Sequence, residues 1–330
     1  MDEVVILSQS EVRECLPMSK AIEAVRTAYS AYAQGRVQMP QVQHLDVKEF
    51  RGEVDVKSGF VEDFGLIGTK IATGFYDNQK LGLPPGVAVI VLMDLRTSMP
   101  LAIMDGTYIT AYRTGAAGAV AAGVLARKDS RNVGILGAGT QGRMQLLALK
   151  ELFDIKRVRV WDIERDRALG YEREIQQDLG IEVMVADNPT DVVPEADILV
   201  TATPSRKPLI MVDHIHDGLH INAIGADGPG KQELDPLIMT RASKIVVDSL
   251  AQCRHIGELQ HGFAQGLVDE ESVHAEIGEI LIGNKTGRES ADEITLFDST
   301  GLSAQDIAAA NVVFQVAKET GLGKRVNLLG

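Results

Sequence analysis

The chain has 330 residues, 45% of them hydrophobic and 24% charged, the size of about two domains with an ordinary globular composition. Its 33 basic and 46 acidic residues leave a net charge of −13, which excludes nucleic acid or an anionic membrane as the main partner but leaves room for a small anion held by local cations. The cysteines Cys15 and Cys253 fit neither a disulfide framework nor a metal site. The N-terminus MDEVVILSQSEV lacks the basic start of a secretory signal, and no run reaches the ~20 apolar residues needed to span a bilayer. A cytoplasmic, metal-free protein with reduced thiols is expected.

In chain order, VVIL at 4–7 reads as a strand, Ser8 and Ser10 as caps of a short helix to Cys15, and Pro17 as its interruption. From Ser19 the apolar residues Ala21, Ile22, Val25, Ala28, Tyr29 and Tyr32 recur at helical spacing until Gly35. Residues 36–104 break into short strands separated by Gly, Pro, Asn and Asp, which predicts an antiparallel or mixed sheet. The Ala/Gly-rich stretch 107–127 predicts a closely packed helix beginning near Thr110. An alternation follows: strand 132–136, helix 141–152, strand 157–162, helix 164–178, strand 181–185, helix 189–194 and strand 197–202. Further strands are expected at 219–224, 244–248 and 294–298, then an amphipathic helix over 303–320. Such alternation marks a parallel sheet with crossover helices. The expected fold is therefore α/β: a central Rossmann-type doubly wound parallel sheet over 116–302, plus a second α+β domain from 1–115 and 303–330.

The segment VGILGAGTQGRM at 133–144 carries the first chemical signal. Gly137 allows a tight turn, Gly139 lets backbone approach a pyrophosphate, and Gly142 lets helix and strand pack closely. The helix behind the loop presents free N–H groups to phosphate. Asp162 follows at the end of the next strand, where a carboxylate binds ribose hydroxyls. It favours NAD over NADP, although Arg165 and Arg167 could soften that choice. TATPS at 201–205 ends a strand and is expected to edge the cofactor cleft; its bland alternative is a plain turn.

Three cations precede this region in apolar or glycine-rich surroundings: Lys57, Lys70 and Arg113. Each alone could be a salt-bridged surface residue; an anionic headgroup would account for all three. Arg113 suits bidentate carboxylate binding, and a buried lysine suits proton transfer. Asp227 stands in the Gly/Pro-rich loop GADGPGKQELD, a position also compatible with an Asx turn. FDSTG at 297–301 is a second strand-end loop, offering Asp298, Ser299 and Thr300. His214 and His216 alternate along a stretch read as strand, and His274, Glu276 and Glu279 fall on one read as surface helix; neither set has zinc-like spacing.

The order GTK, MDGTYITAYRTGAAGAVAA, GILGAGTQG, TPSRKP, HINAIGADGPGKQELD, FDSTGLSAQD resembles the ornithine cyclodeaminase/mu-crystallin family over nearly the whole chain. That family includes ornithine and lysine cyclodeaminases, archaeal-type alanine dehydrogenases and ketimine or imine reductases. The resemblance implies a homodimer built through the N-terminal domain, with an amino or imino acid as substrate. It implies Arg113 and Lys57 at the substrate carboxylate, Lys70 at the reacting amine or imine, and Asp227 as acid–base group. Cofactor contacts are implied for Thr114, Gly137, Gly139, Thr140, Gln141, Gly142, Asp162, Thr203, Pro204, Ser205, Gly225, Ala226, Ser299, Thr300 and Gly301.

The motifs divide between relatives. DVKSGF with IATGFYDNQKLGLP is similar to a subgroup associated with ectoine breakdown, whereas INAIGADGPGKQELD and TLFDSTGL are similar to archaeal alanine dehydrogenases. The expected activity is NAD(H)-dependent oxidation of an α-amino acid, or reduction of its imine, at Cα. One alternative is an ornithine-type cyclodeaminase, in which Asp55 or Glu53 would hold the distal amine. Another is a non-catalytic binder like mu-crystallin, against which the joint presence of Lys70, Arg113 and Asp227 argues.

Overall fold

The computed structural model describes residues 3–328. The chain forms two compact units: one comprises the segment up to Arg113 and the segment from Leu302 onward, and the other is Thr114–Gly301. Strand β1 (Glu3–Leu7) leads into α1 (Gln9–Cys15), whose capping box pairs Ser8 with Glu11. Helix α2 (Met18–Ala33) starts directly after Pro17, a residue compatible with a helix start and not its interior. Then come β2 (Val37–Gln38), β3 (Gln43–Val47), β4 (Gly52–Val61), β5 (Leu66–Phe75), β6 (Gly86–Asp94), β7 (Pro100–Asp105) and α3 (Gly106–Leu125).

The second unit continues with β8 (Asn132–Leu136), α4 (Thr140–Leu152), β9 (Arg157–Trp161), α5 (Arg165–Leu179), β10 (Glu182–Val185), β11 (Ile198–Thr201), β12 (Arg206–Ile210), β13 (His220–Ala223) and β14 (Gln232–Leu234). It closes with α6 (Leu237–Arg241), β15 (Lys244–Val247), α7 (Leu250–Ile256), α8 (Leu259–Ala264), β16 (Val273–Glu276), α9 (Ile277–Leu281) and β17 (Thr295–Asp298). The chain returns to the first unit as α10 (Ser303–Thr320) and β18 (Lys324–Asn327).

The first unit is an eight-stranded mixed sheet in the order β18-β1-β7-β6-β5-β4-β2, with β3 also paired to β4. Helix α10 packs across β4, β5 and β6 and against α2. Its first eight residues, Ser303–Ala310, are all buried, while Gln315 and Lys318–Thr320 are exposed, so the expected helix enters the core with its first half and meets solvent with its second. A helix buried on every side must satisfy its polar residues internally, and Ser303, Gln305 and Asp306 are the ones that do.

In the second unit eight parallel strands run β10-β9-β8-β11-β13-β17-β15-β16. The order reverses between β8 and β11, the switch point beside which ligands bind in doubly wound sheets. One apolar cluster, including Val133, Ile135 and Val158, covers one region of the sheet; another, including Leu199, Ile221 and Leu296, covers the rest.

Three local expectations need correction. The helix expected at 189–194 is a single 3-10 turn, Pro189–Val192, because Asn188 and Asp191 bond to each other's backbone and close a local turn. His214 ends another 3-10 turn, Val212–His214, and His216 lies beyond it in a loop; neither is in a strand. His274 and Glu276 belong to β16, and only Glu279 is helical; the pairing of β16 with β15 decides that strand.

Small residues in α3 allow close backbone approach. A Cβ on Gly115 would overlap the Met144 carbonyl on α4, a group fixed in the helix ladder. Gly115→Ala gains about 1 kcal/mol of helix propensity, but overpacking against rigid backbone costs about 1–3 kcal/mol. We expect a net loss of stability, read as a lower urea midpoint at unchanged m-value.

Candidate functional site

The cations of the first unit are brought together by register. Strands β4 and β5 pair antiparallel with Lys57 directly opposite Lys70, an arrangement in which like charges repel. Lys70 is buried, and so is Arg113 on α3. Their shared counter-ion comes from the far end of the sequence: Asp306, near the start of α10, has Oδ2 at 2.8 Å from Lys70 Nζ and Oδ1 at 2.9 Å from Arg113 Nε. Gln305 completes the frame. Its Oε1 accepts from Arg113 Nη1 (3.1 Å) and from Leu302 N (2.9 Å), while its Nε2 donates to Tyr29 Oη (2.6 Å).

Two buried cations thus share one carboxylate, and the charge of Lys57 also acts on it. Burial, then the Arg113 charge, brings the Lys70 ammonium from its ordinary value down to about 7, with Lys57 adding to the effect against the opposing pull of Asp306. Burial alone would raise the Asp306 carboxyl, but Arg113, Lys70 and Lys57 together hold it below the usual carboxylate range. Such a cluster attracts an anion and also contains an amine able to be neutral near pH 7. Asp55 and Glu53 share the β4 face of Lys57 by strand alternation; Asp55 Oδ1 lies 2.8 Å from His44 Nδ1.

The second unit carries a cleft of about 420 Å³ lined by Gly137, Gly139, Trp161, Asp162, Thr203, Pro204 and Ser205, among others. Gly137 takes φ +100, and a Cβ at Gly142 would overlap the Gly137 carbonyl, so both positions require glycine. A Cβ at Gly139 would meet nothing within 4 Å: the loop leaves open space in front of α4. That helix has no side-chain cap at its N-terminus, and Thr140, Gln141 and Gly142 form its first turn. Asp162 accepts from Ala138 N and Glu164 N, each at 2.9 Å, which sets the glycine turn as well as the next one. Arg165 pairs with Asp187 and Arg167 with Glu164. A glycine cradle, an uncapped helix N-terminus and a carboxylate at the next strand end fit a dinucleotide.

Asp227 lies in the turn after β13, half exposed, with Oδ1 2.6 Å from Lys231 Nζ; Ala226 beside it is buried. Ser299, Thr300 and Gly301 are held by buried Asp248, whose Oδ2 accepts from Ser299 Oγ (2.9 Å), Thr300 N (2.9 Å) and Gly301 N (2.6 Å). Asp298 is fully buried and accepts from Glu258 N and Leu259 N, so it belongs to the interior and not to the loop surface. Thr114 O accepts from Gln145 Nε2 at 2.8 Å. Among the described residues no cluster of His, Cys, Asp and Glu converges in a metal-holding arrangement.

Sequence reasoning missed Asp306, Gln305, Lys231 and Glu233. In SAQD, Asp306 reads as an ordinary acid in a helix's first turn. Only the unbroken small and apolar run that follows, IAAANVV, signals that the helix is buried and that its acid needs a cation.

The sequence profile of the ornithine cyclodeaminase/mu-crystallin family matches residues 2–321. The chain belongs to this family. Alanine dehydrogenase from Archaeoglobus fulgidus is 44% identical over 324 residues, 98% of each chain. Among solved members of the ornithine cyclodeaminase/mu-crystallin family, an archaeal alanine dehydrogenase dimer with bound NAD superposes with TM-score 0.93 at 42% identity, covering 99% of this chain and 100% of that one. The Δ1-pyrroline-2-carboxylate reductase of Thermococcus litoralis, in complex with NADH and L-proline, gives TM-score 0.94 at 36% identity over 98% and 100%.

The shifted lysine carries a consequence for stability. Unfolded, Lys70 holds its proton up to about pH 10.4; folded, it releases it near 7. Between those values the unfolded state binds more protons, so this group makes stability rise with pH. In urea unfolding at pH 7 and pH 9.5, the wild-type protein should gain stability relative to Lys70→Met. An equal response of both proteins would mean that Lys70 keeps an ordinary pKa in the fold.

Proposed function

We propose that the protein is an NAD-dependent enzyme that oxidises a small α-amino acid at Cα, or reduces the corresponding imine. The carrying observation is the buried cation cluster, which offers both a carboxylate anchor and a lysine that can be neutral near pH 7. When bound, NAD supplies the hydride acceptor. Gly137, Gly139, Thr140, Gln141 and Gly142 would hold its pyrophosphate, Asp162 a ribose, and Thr203–Ser205, Gly225–Ala226 and Ser299–Gly301 its nicotinamide half, with Thr114 nearby. Asp162 disfavours a 2′-phosphate by charge repulsion. Arg165 and Arg167, already paired with Asp187 and Glu164, do little to offset it.

Arg113 and Lys57 would clamp the substrate carboxylate, and so fix the direction of the Cα–H bond before reaction. Neutral Lys70 would take a proton from the amine, and the ammonium so formed faces Asp306 at once. Asp227 would activate the water that releases ammonia from the imine. One solved relative is bound to NAD and the other to NADH and L-proline, which supports a nicotinamide cofactor and a small amino-acid ligand.

A homodimer is part of this reading. Ile71, Val87 and Val89 are about half exposed, and Ile71 pairs with Val89 while Val91 pairs with Ile103 and Ile103 with Ile6. These residues form one contiguous apolar face of the mixed sheet, the kind of patch that marks an interaction surface. A second copy is its proposed cover, in keeping with the dimeric archaeal relative.

Three experiments test the proposal. With NAD and L-alanine, L-proline or L-ornithine in turn, NADH and ammonia or imine should rise together; ammonia rising without NADH would assign a cyclodeaminase instead. Arg113→Ala should lower kcat/KM about 100-fold, since a charged hydrogen bond to substrate contributes about 1.5–3 kcal/mol. Val89→Glu should convert the dimer to a monomer in sedimentation, and an unchanged sedimentation coefficient would reject this face as the interface.

A further inference from the structure

Glu233 is fully buried at the start of β14, and its carboxylate accepts from groups on two different strand-end turns. Oε1 accepts from Thr203 N and Thr203 Oγ1, each at 2.7 Å; Oε2 accepts from Gly225 N at 3.0 Å. Thr203 follows β11 and Gly225 follows β13, and those strands are parallel neighbours. Gly225 in turn accepts from Asp227 N at 3.1 Å. A Cβ at Gly225 would overlap both the Glu233 carboxylate and the Thr203 backbone, so the two turns close on the carboxylate with no space to spare.

Behind Glu233 stands a ladder of acids, each accepting from the backbone of the next. Glu258 Oε1 accepts from Glu233 N (2.7 Å) and its Oε2 from Leu234 N (3.3 Å); Asp298 accepts from Glu258 N (3.1 Å) and Leu259 N (3.0 Å). Burying a carboxylate is costly unless donors compensate it. Burial lifts Glu233 to about 7, against the hydrogen bonds from Thr203 and Gly225. Fold stability alone would be served by a neutral or apolar side chain.

We infer that Glu233 is a positioning residue: its carboxylate locks the Thr203 and Gly225 turns at a fixed separation and thereby sets Asp227 against the bound nucleotide. The inference rests on the proposed function in assigning the nucleotide to Thr203 and the acid–base role to Asp227. It goes further in assigning their alignment to a residue that touches neither substrate nor cofactor. Two acceptor oxygens are required, because three donors converge from both sides.

Glu233→Gln separates this role from simple packing. The amide keeps the volume and one acceptor for Thr203, but it turns an N–H toward the Gly225 N–H. Backbone amide exchange of the full-length protein, with and without NADH, reads the clamp without needing turnover. We expect faster exchange confined to Thr203 and the Gly225–Asp227 turn, with the rest of the parallel sheet unchanged. In steady-state oxidation of L-alanine, kcat should fall about 10- to 100-fold, the effect of an ångström-scale misplacement, while KM for NAD stays within about threefold.

Unchanged exchange at both turns overturns the inference. So does faster exchange across the whole sheet, or kcat and NAD affinity falling in parallel, which would make Glu233 a support of the fold. If Glu233→Gln does not fold, Glu233→Asp provides the second arm: with its reach shortened it should free one turn and not the other, and equal protection of both would overturn the inference. If wild-type protein turns over none of the substrates named above, the proposed function fails by itself, and amide exchange still decides the clamp.

Discussion

One ion triad organises the first unit. Asp306 pairs with both Lys70 and Arg113, joining a central strand, the first half of a long helix and the return helix near the C-terminus. Each cation alone would be expensive to bury; one carboxylate between them offsets part of that cost without cancelling the charge. Burial is the first cause of the lysine's lowered proton affinity, and the imbalance of two cations on one carboxylate adds to it.

The register of β4 and β5 is part of that imbalance. A shift by one residue would send Lys57 to the opposite face, and the like-charged cross-strand pair would vanish. That the pair is kept in the middle of a ten-residue ladder means that packing of Gly59, Gly68 and Leu92 beneath α10 outweighs local repulsion. Gly68 leaves no space for a Cβ against Ile307, so the Ile307 side chain packs directly on the strand backbone.

Much of this was legible in the sequence, because periodicity and glycine spacing report on local geometry. The parallel alternation, the dinucleotide turn with Asp162 and the three cations all stood in recognisable surroundings. Asp306 and Glu233 did not. An acid in a helix's first turn and an acid after a glycine-rich loop both have common surface explanations, and burial depends on partners more than two hundred residues away for Asp306 and thirty for Glu233. His274 failed because the pairing of β16 with a distant strand decides its state, whereas His214 and the helix expected at 189–194 failed on local turns closed by nearby side chains.

The discontinuity of the first unit has a consequence for how the chain is made. Its central helix and its acid follow the whole of Thr114–Gly301, a stretch of 188 residues (301 − 114 + 1). At about 5–20 residues per second, synthesis reaches Asp306 on the order of ten seconds or more after Arg113. During that interval neither cation has the counter-charge that makes its burial tolerable. Arrival of Asp306 supplies it for both. Completion of this half of the fold thus waits until its last helix has emerged.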